Sequence, residues 1–347
     1  MGDLVLGVHH ITLVAGNYEL NRRFYTGVLG LRQVKLSVNQ DDIFHRHAFY
    51  ANPERTTGST ITFFEWPHLA SGYPGLGSPH HLAYEVASID VLARWRAWLS
   101  GQRLRVSGPH IEDDYASIYF MDHDGTLIEV TAYREDSGAD YILELFTKTS
   151  TPKSLDAGMA LTGFHHATPI ILDDRFTARF LEKFLGLGRI ERGNGMRRYL
   201  LAGDRDKIFL KYLVHPDASV GFVGRGSIHH IALAVESEED QRLIMRRLTA
   251  ASIRHSGIID RFWFKSLYFR DPDGNLMEIA TVGPGYYIDE QGERLGGKLA
   301  LPPWLESRRQ EIEARLAMQD AQNPALWPPK YGETPEWPEY YDPEMHR

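Results

Sequence analysis

The chain contains no cysteine. That excludes a disulfide framework and thiolate ligation, so any metal must rest on His, Asp or Glu. It also lacks any apolar stretch near the roughly 18 to 20 residues that span a bilayer. Its N-terminus, an apolar run broken by His9 and His10, has neither a basic start nor a signal-length core. Basic charge is short too: 38 Lys and Arg against 46 Asp and Glu leave a net charge of -8. Phosphate affinity depends on clustered cations, so nucleic acid is not an expected partner. These absences point to a cytoplasmic enzyme that works on a small molecule away from any membrane, and a homo-oligomer is expected. At 347 residues the chain has room for two domains.

What the chain does have is histidine in pairs: His9-His10, His80-His81, His165-His166 and His229-His230, each opening a short apolar run. The spacing makes them a repeat. His10 and His166 lie 156 residues apart, and Phe24, Gly30 and Leu31 recur as Phe180, Gly186 and Leu187 at that offset. His81 and His230 lie 149 residues apart, and Tyr119, Phe120, Asp122, Asp124, Gly125 and Glu129 recur as Tyr268, Phe269, Asp271, Asp273, Gly274 and Glu278. The alternation after each pair predicts a strand. Helices are predicted over 21–29, 89–99, 175–185 and 238–250, the first and third closed by glycine. Short strands separated by turn residues follow, so each module reads βαβββ. One such unit exposes an apolar sheet face and must pair to bury it. The predicted fold class is therefore α+β: four modules in two tandem domains, 1–147 and 161–285, forming paired half-barrels. Residues 148–160 read as the linker. Residues 286–347 read as a C-terminal extension, with an amphipathic helix over 303–320 and an arm rich in Pro and aromatics, packed on its own subunit or a neighbour.

Along a strand, side chains alternate faces, which sets His10 with Thr12 and His9 on the opposite side. Glu278 lies in an otherwise apolar strand, where a buried carboxylate needs a cation or a donor. A glutamate follows both His81 and His230 by 48 residues. Satisfied core histidines and hydrogen-bonded glutamates are the plainer account of any one of these residues, but clustering favours a metal. Two imidazoles and a carboxylate without thiolate suit Fe(II) or Mn(II) with open positions; zinc on the same set would act as a hydrolytic Lewis acid. Thr62 falls where module one would supply a second carboxylate, and in module three the run Lys207 to Leu210 puts an apolar residue at the corresponding place. Modules one and three thus offer only histidines.

Tandem βαβββ modules with His on a first strand and Glu on a last one resemble the vicinal oxygen chelate superfamily, which includes glyoxalase I and extradiol dioxygenases. More narrowly, the stretch from Gly7 to about Leu301 is similar to the ring-cleaving dioxygenases of the hydroquinone 1,2-dioxygenase type. The residues that carry this are Val8-His9-His10-Ile11-Thr12, Val28-Leu29-Gly30-Leu31, Ile228-His229-His230, Asp260-Arg261, Leu267-Tyr268-Phe269-Arg270, Glu278-Ile279-Ala280-Thr281 and Gly296 to Leu301. The resemblance implies Fe(II) held by His10, His230 and Glu278, with supporting roles for His9, Thr12, His229, Arg261 and Tyr268. It implies a small aromatic substrate and O2, and cleavage of a hydroquinone, substituted or chlorinated rings included, beside one hydroxyl with insertion of both oxygen atoms. Arg261 would stabilise negative charge, and Tyr268 or His229 would transfer a proton.

The chain departs from that pattern in carrying a second set, His81, His166 and Glu129, with Tyr119 matching Tyr268 but Glu112 in place of Arg261. The missing arginine favours an inert remnant or a structural metal there. Catechol-type relatives take both histidines from one tandem domain, which would make the ligands His166, His230 and Glu278. A catechol-type extradiol dioxygenase, a glyoxalase-like isomerase or lyase on Zn(II) or Ni(II), and a non-enzymatic binding protein are the competing readings.

Overall fold

The computed structural model describes residues 4–134, 137–190, 199–204 and 207–326. Module one consists of β1 (Gly7–Ala15), α1 (Tyr18–Arg23), β2 (Arg32–Asn39), β3 (Asp42–Ala51) and β4 (Thr60–Glu65). Module two holds β5 (His81–Glu85), α2 (Ile89–Gly101), β6 (Ser107–Ile111), β7 (Tyr115–Met121) and β8 (Leu127–Tyr133), followed by α3 (Ala139–Lys148). Module three holds β9 (Gly163–Thr168), the short β10 (Ile170–Ile171), α4 (Asp174–Phe180), β11 (Gly188–Ile190), β12 (Tyr199–Asp204) and β13 (Lys207–Val214). Module four holds β14 (Ile228–Val235), α5 (Glu238–Ala250), β15 (His255–Asp260), β16 (Phe264–Arg270) and β17 (Leu276–Pro284).

Capping sets where the helices begin. Asn17 accepts from the Leu20 amide at 3.0 Å, so α1 starts three residues before the apolar periodicity suggests. Ser237 and Asp240 form a reciprocal capping box on α5, which spans the expected residues. Both α1 and α4 run on through a π-type turn, to Val28 and Leu185, and Gly186 ends the latter in the left-handed region at φ 73°. Helix α3, immediately before the linker, was not expected from the sequence.

The strands form two sheets, ordered β15-β16-β17-β14-β1-β4-β3-β2 and β11-β12-β13-β9-β5-β8-β7-β6, with β10 beside β13. The joins are antiparallel, β1 with β14 and β5 with β9. Module one therefore pairs with module four, and module two with module three, so each half-barrel draws one module from each tandem copy. A single core cluster includes Ile11, Phe120, Leu210 and Leu233 from the four modules, and each such buried side chain contributes about 1.5–3 kcal/mol.

The repeated Asp-x-Asp-Gly turn fastens one half-barrel to the other. Asp124 accepts the Gly16 amide at 2.8 Å, and Asp122 accepts the Tyr25 hydroxyl at 3.0 Å. Symmetrically, Asp273 accepts the Leu172 amide at 3.0 Å and the Thr177 hydroxyl at 3.2 Å. Gly226 passes this junction at φ 80°, where an added Cβ would lie 2.1 Å from the Asp124 carbonyl oxygen, so no other residue fits.

Past β17 the chain crosses the outer edge of module one. Buried Lys35 on β2 pairs there with Asp289 at 2.7 Å and Glu290 at 2.5 Å, and the Ala300 amide donates to the Leu36 carbonyl at 2.9 Å. The helix expected over 303–320 begins as a 3-10 turn at Pro303–Arg308 and becomes α6 over Arg309–Gln322. Ile312 and Leu316 of α6 pack with Val38, Leu301 and Leu305. The arm aromatics from Trp327 onward lie outside the described residues. Among the described residues no helix is long and apolar enough to cross a membrane.

Candidate metal centre

The paired histidines sit at the seams between modules, where β-bulges override the expected alternation. On β1, Val8 pairs with Leu233 and His10 with Ala232, leaving His9 as the extra residue; on β14, His229 is bypassed in the same way. A bulge turns two successive side chains toward one side. The expected opposite placement of His9 is thus corrected: His9 Nδ1 lies 2.8 Å from His10 Nδ1, and His229 Nδ1 lies 2.8 Å from His230 Nδ1. All four pairs share this contact, at 2.7 Å for His80-His81 and His165-His166. With Nδ1 tied to its neighbour, the second imidazole of each pair has Nε2 left for a ligand bond, the arrangement that orients metal-binding histidines.

Crossed module pairing brings His10, His230 and Glu278 together, all buried. Glu278 Oε2 lies 3.0 Å from His230 Nε2 and 3.3 Å from His10 Nε2. Bonds of about 2.1 Å at right angles place ligand atoms about 3 Å apart, so the set fits a single cation. His230 Nε2 and Glu278 Oε2 have no aligned hydrogen-bond partner among the described residues despite their proximity; such orphaned buried atoms call for an ion. The other carboxylate oxygen accepts from the Ser266 hydroxyl at 2.5 Å, which fixes the glutamate's rotation. Burial alone would raise the Glu278 carboxyl, but His10 and His230 hold it well below the usual range, so it is ionised. Burial, then the neighbouring His10 or His230, drives His9 and His229 down to about 3, which keeps both neutral. The alternative trio fails, because His166 lies in the other sheet, 3.3 Å from Glu129.

The centre forms the floor of a cavity of about 430 Å³, walled by Phe49, Phe64, Trp66, Trp263 and Phe264. His229, Arg261 and Tyr268 also line it. The Arg261 guanidinium sits 5.5 Å from the Tyr268 ring centre and is held by Asp41 at 2.7 Å. Tyr268 packs edge-on to His230 at 5.6 Å, and burial raises its phenol pKa. His9 and Thr12 stand behind the lining. The Thr12 hydroxyl meets that of Thr62 at 2.8 Å, and Thr62 in turn meets His47 Nε2 at 2.8 Å. Thr62 thus occupies the place a fourth ligand would take. His47, which reaches the cavity wall from β3 and is kept neutral chiefly by burial, was not anticipated. Its two-residue spacing from Phe49 was the only available signal, and the placement of β3 beside β4 had to be known to use it. Asp41 at the rim was missed for the same reason.

The second set also assembles, with His81 Nε2 2.8 Å and His166 Nε2 3.3 Å from Glu129 Oε2. Its surroundings differ. The β9-β13 register pairs Ala167 with Leu210 where β1-β4 pairs Ile11 with Ile61. Lys211, not the expected apolar residue, therefore takes the place of Thr62.

Residues 7–130 and 163–279 match the family model of the glyoxalase/bleomycin resistance protein/dioxygenase superfamily. The chain is 33% identical over 320 residues, 90% of its length and 98% of the relative's, to a Bacillus subtilis (strain 168) protein provisionally named ring-cleaving dioxygenase MhqA. It is 25% identical, over 89% of its length and 95% of the relative's, to chlorohydroquinone/hydroquinone 1,2-dioxygenase of Sphingobium indicum. A crystal structure from Bacillus subtilis, provisionally described as a dioxygenase, superposes with a TM-score of 0.78 at 30% identity, covering 91% of this chain and 97% of the other. With the repeat, the two half-barrels and these matches together, the chain belongs to the glyoxalase/bleomycin resistance protein/dioxygenase superfamily, on the branch of its ring-cleaving dioxygenases.

Proposed function

We propose that the chain is an Fe(II)-dependent, extradiol-type ring-cleaving dioxygenase acting on hydroquinones, and that His10, His230 and Glu278 are its metal ligands. The observation that carries this is the convergence of two imidazole Nε2 atoms and one ionised carboxylate oxygen at the floor of an aromatic cavity. Mn(II) suits the same donors. Held there, Fe(II) would supply a Lewis acid for the substrate phenol, open positions and the redox chemistry that dioxygen requires.

The remaining work falls to the chain's own residues. The aromatic walls sandwich a flat ring and exclude water. The rim residues Gln40 and Asp41, together with His47, meet the distal hydroxyl that distinguishes a hydroquinone from a catechol. Arg261, always cationic, balances the charge of the deprotonated substrate. Tyr268 keeps its proton at neutral pH and is placed to donate it as the ring opens, while His229 is placed to pass a proton on. Hydroquinone and O2 combine without other reactants into a ring-opened hydroxy semialdehyde acid. The relative from Sphingobium indicum supports the substrate class by its name. Against a glyoxalase-like reaction stands Thr62, whose hydroxyl is engaged with Thr12 and His47 where a fourth ligand would be needed.

An oxygen electrode tests this directly. Iron-loaded protein should consume one O2 per hydroquinone or chlorohydroquinone. Oxygen uptake with catechols alone would replace the substrate assignment and leave ring cleavage standing, and no uptake with either would refute the reading.

A further inference from the structure

We propose that the His81-His166-Glu129 cluster holds no metal because Lys211 supplies its cation, so that the chain carries one metal ion and not two. By ligand identity the two clusters are equals, both are buried, and each has an imidazole Nε2 without an aligned partner among the described residues, His230's in the first and His166's in the second. Their difference lies one layer out. In the first centre the position beside the ligands on β4 is Thr62, whose hydroxyl engages Thr12. In the second, the β9-β13 register puts Lys211 there, 3% exposed.

Two changes accompany that lysine. Tyr115 stands where Phe264 stands in the first centre, at the same 149-residue offset, and accepts the Lys211 ammonium at 2.6 Å. Thr168, the counterpart of Thr12, has lost its hydroxyl partner and sits 3.2 Å from His81 Nε2, the atom that would have to ligate. The same Nε2 is hydrogen-bonded to Glu129 at 2.8 Å. Burial alone would raise the Glu129 carboxyl, whereas His166, His81 and Lys211 together hold it well below the usual range. Lys211 is the lysine among these influences, set beside the cluster by the β9-β13 register and by its hydrogen bond to Tyr115. A divalent ion entering here would face an ammonium in a low-dielectric interior and would have to displace it. Glu112, in place of Arg261, is a further departure from the first centre.

The count of one rests on the ligand reading of the first centre, but the role of Lys211 does not. Full-length protein, equilibrated with Mn(II), desalted and analysed for metal, should hold one equivalent, lost in Glu278→Gln and kept in Glu129→Gln. The double variant Lys211→Thr/Tyr115→Phe, which restores the residues of the first centre, should gain one equivalent, and adding Glu129→Gln should remove it. Should that variant not fold, Lys211→Met, which keeps the stem and deletes the charge, replaces it with the same expectation. Two equivalents in the native chain, one of them lost in Glu129→Gln, would overturn the inference, as would a folded lysine variant that gains none. No metal in the native chain together with a gain in the variant would refute the first-centre ligands and uphold the role of Lys211.

Discussion

At the scale of single residues, His9, His165 and His229 owe their places to bulges, and the leading member of every pair contributes through the Nδ1 contact with its neighbour. His9→Ala and His229→Ala should weaken metal binding or turnover by about 10 to 100-fold while leaving the ligands present, as measured by metal titration beside kinetics. Glu278→Gln removes the only charge in the ligand set and should abolish both bound metal and oxygen uptake. Tyr268→Phe separates binding from chemistry: with metal content unchanged, kcat should fall by about 10²-fold or more if the phenol donates the proton. An unchanged kcat would take Tyr268 out of the reaction. Legibility at this scale was uneven. The candidate trio could be picked out because His-His and Glu recur at fixed offsets, whereas the face of His9 could not, since a bulge is a property of two paired strands and neither strand's sequence announces it. His47 was hidden for a related reason: nothing near it repeats.

At the scale of elements, the Asp-x-Asp-Gly turns act as fasteners between half-barrels, and one carries a pH signature. Asp271, fully buried, accepts the Asp273 and Asn275 amides at 3.0 and 2.9 Å, yet burial pushes its pKa up to about 7. A carboxyl raised from its ordinary 3.8 binds its proton more tightly when folded. Its stabilising share is therefore complete below about pH 4 and is lost as the pH rises through about 7. A shift of roughly three units corresponds to at most about 4 kcal/mol. Denaturant melts of native protein and Asp271→Asn at pH 5 and pH 8 should show the native chain losing more stability on going to pH 8 than the variant does. Equal losses would mean the group stays ionised in the fold. Helix α5 was the most legible element, because the apolar period announces it, whereas α3 was not announced at all. The one-residue offset that delivers Lys211 was not, as register is set by strand pairing.

At the scale of the whole molecule, tandem duplication and spatial assembly follow different divisions. The repeat was plain in the sequence, but adjacency along the chain suggests partners one and two, three and four, while the sheets join one to four and two to three. The ties from Lys35 to Asp289 and Glu290, and from Arg46 to Asp320 at 2.6 Å, bind the end of the described chain to its beginning. A fragment of residues 1–147 should consequently bind no metal and expose an unpaired sheet edge. Co-expression with a fragment starting at residue 161 should restore one equivalent, as elemental analysis of the copurified pair would show.

The crossed pairing also orders events in time. His10 leaves the ribosome before the rest of its site, and its partners on β14 and β17 are made more than two hundred residues later. Modules two and three can close on each other meanwhile. On the proposed ligand assignment, the emerging polypeptide offers no complete first-centre trio until module four is made, and metal uptake there would be deferred to the last long-range closure of the fold.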